Sequence, residues 1–99
     1  MDAPHASPER RPIRHPRTAS RVFGRDAVVI TPAENTVRML NPTGTRVWQL
    51  ADGTRTVEEI ALALTQEFDV DYPEALASTQ QFIALLEEKG LLTWSMANG

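Results

Sequence analysis

The sequence predicts an α+β domain, a three-stranded antiparallel sheet followed by three helices, and three observations carry that prediction. Short strand-forming runs are separated by turn signals up to Leu40: "AVVIT", with Val28, Val29 and Ile30, follows Gly24-Arg25-Asp26 and precedes Pro32-Ala33-Glu34-Asn35. From Asn41 onward apolar residues return at helical spacing. With 99 residues the chain can build one domain with a modest core and not two.

Taken in order, residues 1–17 set Pro4, Pro8, Pro12 and Pro16 among Arg, His and Ser. That spacing denies the backbone a continuous helix and shows no apolar periodicity. The stretch is therefore expected to be a flexible Pro/Arg-rich arm, ahead of a domain over 18–94 and a tail at 95–99. Order begins near Ala19, where "SRVF" suits a short strand; Gly24-Arg25-Asp26 turns it into "AVVIT". Pro32 and Asn35 suit the two corners of the next turn, and "TVRML" is the third strand. Short turns make this an antiparallel meander whose first and third strands are unpaired edges.

Asn41 reads as an N-cap with Pro42 at the first helical position, opening a short helix over Thr43–Ala51 that buries Val47, Trp48 and Leu50. Gly53 is expected to close it in the left-handed conformation. Thr56 and Glu59 form a capping box for a second helix, with Val57, Ile60, Ala61, Leu64 and Phe68 on one stripe. A third helix starts at Asp71 or Tyr72 with Pro73 in its first turn and runs to about Glu88. Gly90 and Leu91 then close it, Leu91 packing back on Leu86 in a Schellman motif. "LLTW" reads as a last extended segment. Three strands and then three helices give a winged-helix-like composition.

Charge narrows the partners. Residues 1–25 carry six Arg against Asp2 and Glu9, whereas residues 26–99 carry four basic and eleven acidic groups, a net of -7. An acidic body is a poor match for nucleic acid. The third helix holds one cation, Lys89, against Glu74, Glu87 and Glu88, which argues against a winged-helix DNA-binding regulator. No apolar run approaches a membrane span, and the first residues lack the apolar core of a secretory signal, so a cytoplasmic address is the default expectation.

Catalytic chemistry is hard to find. The chain has no Cys, and both His5 and His15 fall in the expected arm, where no rigid surroundings would orient a base or metal ligand. Glu58-Glu59 and Glu87-Glu88 are adjacent pairs at helix ends, and Glu59 already has a capping role. No nucleotide-binding or nucleophile motif occurs. No enzyme activity, metal or cofactor is expected.

The third helix offers apolar width instead. Phe82, Leu85, Leu86, Thr79, Ile83 and Leu76 spread over an arc of about 180°, wider than the stripe of roughly 100° that one core contact needs. Beside an open third strand, the surplus flank would make a groove suited to an extended peptide. An open edge equally suits a structural module that dimerises by pairing with its own copy.

The stretch "MLNPTGTRVWQLADGTRTVEEIALALTQEFDVD" with "FIALLEEKGLL" resembles the PqqD family, the pyrroloquinoline quinone biosynthesis protein D group. Its fold is also called the recognition element of ribosomally made, modified peptides (RiPPs). The resemblance spans about residues 20–93 and rests on Leu40-Asn41-Pro42-Thr43-Gly44, Trp48, Asp52-Gly53, Thr56 to Ile60, Phe82 and Gly90-Leu91 together. It departs at Ser78, where the family often has Asp. It implies a non-catalytic peptide chaperone that binds the leader segment of a precursor peptide and presents the rest to a modifying enzyme, often a radical S-adenosylmethionine (radical SAM) protein. On this chain the strand wall would be Thr36, Val37, Arg38, Met39 and Leu40, and the helix wall Leu76, Thr79, Gln80 and Ile83. Leu85 and Ser78 mark the opposite flank, and periodicity does not choose which flank faces the sheet edge.

Overall fold

A computed structural model describes residues 10–31 and 36–96. In chain order the elements are β1 (Arg10–Arg14), β2 (Ala19–Phe23), β3 (Asp26–Thr31), β4 (Thr36–Leu40), α1 (Pro42–Leu50), α2 (Val57–Glu67), α3 (Tyr72–Glu88) and β5 (Leu92–Met96). The expected meander is present: β3 is central, with β2 and β4 antiparallel on either side. The turn expected at Pro32–Asn35 lies outside the described residues, as do residues 1–9 with His5 and residues 97–99 of the expected tail.

One face of this sheet carries Ala27, Val29 and Leu40, which are buried with Trp48, Ile60, Leu64, Ile83 and Leu86 in a single core. The helices hold their places through local chemistry. Asn41 caps α1, its Oδ1 accepting the Gly44 N–H at 2.7 Å, with Pro42 in the first turn. Thr56 and Glu59 make the reciprocal capping box of α2. Asp71 caps α3, whose other end is a complete Schellman motif: Gly90 N–H donates to Glu87 O, and Leu91 N–H to Leu86 O. Gly90 stands at φ +76°, the left-handed region that this motif needs.

Two expectations are corrected. The first is the arm. Arg10–Arg14 form β1, paired antiparallel with β5 so that Arg10 faces Met96 and Arg14 faces Leu92. Pro12 is buried within it, tolerated because its nitrogen faces away from β5, on the side where its carbonyl accepts the Gly53 N–H and only a short bridge to Ala51–Gly53 is made, so no bond of the β1–β5 ladder is lost. Side chains then fasten the strand. Arg14 donates to the Trp48 and Gln49 carbonyls at the end of α1, at 2.7 and 2.9 Å, and the Arg10 guanidinium lies 4.0 Å over the Trp94 ring. His15 sits in the turn that follows, its Nδ1 accepting the Arg17 N–H.

The second correction concerns Gly53. It is left-handed, at φ +85°, but α1 is capped at Ala51, whose N–H reaches back to the helix carbonyls. The Gly53 N–H donates instead to Pro12 O at 3.0 Å, so this glycine joins α1 to β1.

Candidate functional site

The site is built where β4 runs into α1. Pairing fixes the alternation of β4: Arg38 and Leu40 lie opposite the buried Val29 and Ala27, on the helix side, while Val37 and Met39 lie opposite Ile30 and Val28, on the open face. Val37 is 64% exposed and Met39 72%. Among the described residues no strand pairs with the outer edge of β4. Leu40 ends the strand with its carbonyl accepting from the buried Thr45 hydroxyl, and the Asn41 cap turns the chain into the helix.

Between this edge and α3 lies a groove of about 400 Å³. Arg38, Met39 and Leu40 form its strand wall; Asn41, Thr43, Gly44 and Val47 form one end; Leu64 lies beneath; and Ser78, Thr79 and Phe82 form the helix wall. Gly44 lets the walls approach, since a Cβ there would stand 3.0 Å from Phe82 Cζ and 3.1 Å from the capping Asn41 Oδ1. The Asn-Pro-Thr-Gly sequence is thus a joint: cap, first helical residue, and the gap into which Phe82 fits.

The lining is mixed: Met39, Leu40, Val47, Leu64 and Phe82 are apolar, Asn41, Thr43, Ser78 and Thr79 are polar, and Arg38 carries a charge. Arg38 is the groove's sole charged lining residue, and its side chain makes no hydrogen bond or ion pair among the described residues. Elsewhere Arg46 is bound to Glu67 at 2.7 Å and Arg55 to Asp52 at 3.3 Å. Thr79 is fully buried, yet its Oγ1 has no hydrogen-bond partner among the described residues. The Asp52 carboxyl, remote from the groove lining, is held below the usual carboxylate range. The Thr54 hydroxyl is the main cause, aided by the Thr54 N–H, Arg55 and Arg14 against partial burial.

Of the residues expected to form the site, Arg38, Met39, Leu40 and Thr79 meet in the groove, with Thr36 and Val37 continuing its strand wall. Leu76, Gln80 and Ile83 do not line it. Ile83 is a core residue, 2% exposed, Leu76 packs against the core, and Gln80 is exposed. The groove uses the flank of Ser78 and Phe82 because the buried row Ala75, Thr79, Ile83 and Leu86 rotates α3 that way. The sequence signal for that choice was Gly44, a glycine at the third position of a helix, where it makes room for a ring. Among the described residues no group of three His, Cys, Asp or Glu side chains could hold a metal ion, and no helix is long and apolar enough to cross a membrane.

The arrangement can accept an extended backbone along one wall and side chains over an apolar floor. No curated protein sequence matches the chain. Among solved structures, "TbiB1 in Complex with the TbiA(beta) Leader Peptide" superposes with a TM-score of 0.75 at 26% identity, over 81% of this chain and 93% of that one. "Lasso peptide synthetase B1 complexed with the leader peptide" shares the fold with a TM-score of 0.74 at 18% identity, over 83% and 96% of the two chains. The family profile described as coenzyme PQQ synthesis protein D (PqqD) matches residues 26–92, from β3 to the first residue of β5, and this chain belongs to that family.

Proposed function

We propose that the chain binds the leader segment of a ribosomally made precursor peptide as an added strand on β4, and presents the rest of that peptide to a modifying enzyme. The observation that carries the reading is the edge of β4, unpaired among the described residues, beside a groove with an apolar floor, in a fold shared with TbiB1, whose structure is a leader-peptide complex. The strand wall is Thr36–Leu40 and the helix wall Ser78, Thr79 and Phe82. The chain acts without catalysis of its own, and a radical SAM enzyme is the partner that the family resemblance implies. Self-pairing of β4 would occupy the same edge, so any homodimer competes with the peptide.

Two proline substitutions test this. In an antiparallel pair, successive residues alternate between bonding the neighbouring strand and facing away. Of Arg38→Pro and Met39→Pro, one therefore removes an N–H bonded to β3 and the other an N–H at the free edge. The expected result is one destabilised variant and one folded variant that has lost affinity for the leader. A folded proline variant with unchanged affinity, beside an unfolded one, places binding elsewhere.

A further inference from the structure

We infer that the leader taken by this groove carries an acidic side chain and a bulky apolar side chain two residues apart, the acid meeting Arg38 and the apolar group seated beside Leu40. This rests on leader binding at β4 and specifies what is bound there.

Arg38 and Leu40 share the helix side of β4, two residues apart. A strand laid against β4 also turns alternate side chains to that side, so it presents two of its own residues, at i and i+2, to these two positions. The positions differ sharply in chemistry. The apolar part of the lining is Met39, Leu40, Val47, Leu64 and Phe82, and Leu40 is the apolar residue that β4 turns to the helix side, suited to seat a large apolar side chain. At Arg38 the guanidinium has no carboxylate partner among the described residues, although the body of the domain is rich in acidic groups. No acidic residue lines the groove to neutralise it. A carboxylate on the leader is the group that fits the planar fork bidentately, and a Lys or Arg there would be repelled. Antiparallel addition puts the apolar residue first along the leader; parallel addition puts the acid first.

The test is selection from a displayed random dodecapeptide library on the full chain and on Arg38→Glu, with thermal melts to confirm that the variant folds. The wild type is expected to enrich Asp or Glu two positions from Leu, Ile, Met or Phe. Arg38→Glu should keep the apolar preference and exchange the acid for Lys or Arg. A synthetic peptide from the wild-type selection should bind Arg38→Glu about tenfold more weakly or worse, and recover when its acid is changed to Lys. Enriched peptides without the acid, or identical sequences from both proteins, overturn the inference and leave leader binding standing. Absence of enrichment on the folded wild-type chain overturns both.

Discussion

Replacing Thr79 by Val should make the protein more stable while leaving leader affinity unchanged, and the pairing of those two results is what makes the change informative. Thr79 is fully buried on α3 at the groove wall, and its hydroxyl has no hydrogen-bond partner among the described residues. A buried hydroxyl without a partner costs about 1–3 kcal/mol. Valine has the same shape and nearly the same helix propensity, so the exchange removes that cost with little else. A gain of about 1–2 kcal/mol corresponds to a rise in Tm of roughly 4–15 °C for a domain of this size. The hydroxyl is sealed from solvent, so a leader lying in the groove does not reach it. Its removal should therefore leave Kd within about twofold of the wild-type value, less than the loss of one hydrogen bond to the leader would cause. Thermal denaturation and a calorimetric titration read the two effects separately. A variant that melts lower refutes the view that the hydroxyl is an unsatisfied buried group, and one that binds about tenfold more weakly refutes the view that the leader does not reach it.

Two further substitutions probe the frame around the groove. Gly53→Ala should lower stability by about 1–2 kcal/mol, because the left-handed φ of +85° is strained for alanine and its Cβ would meet Ile13 Cδ1 at 3.1 Å; a melt checks the loss, and hydrogen exchange should show β1 loosened first. The Asp52 carboxyl has its pKa lowered in the folded state, so its contribution is present above the unfolded value of about 3.9 and is lost as pH falls through the folded one. Asp52→Asn should therefore flatten the acid side of the stability profile below about pH 4, measured by urea denaturation at a series of pH values.

What the sequence makes legible is local. Asn41, Thr56 with Glu59, Asp71, and Gly90 with Leu91 each declare a helix end within a few residues, and all of these caps stand where the residue types require them. The meander is equally readable, since β2, β3 and β4 are joined by short connections. By contrast, β1 pairs with β5 across nearly the whole chain, and Pro12 in its middle is a local signal against a strand. What fastens β1 is non-local: Arg14 on the α1 carbonyls, Arg10 on Trp94, and Pro12 O receiving the Gly53 N–H. The groove divides in the same way. Its strand wall follows from an open edge, but both flanks of α3 carry apolar residues. Packing decides between them, through the row Ala75, Thr79, Ile83 and Leu86 and the space that Gly44 leaves for Phe82.

The most direct test of strand addition at β4 is an NMR titration of the full chain with the short peptides encoded beside its gene, following backbone amides. One peptide should shift Thr36–Leu40 together with Ser78, Thr79 and Phe82, and should slow hydrogen exchange at the β4 amides that face the free edge. Shifts centred on Leu76, Gln80 or the β2 edge, with β4 unmoved, would contradict the account.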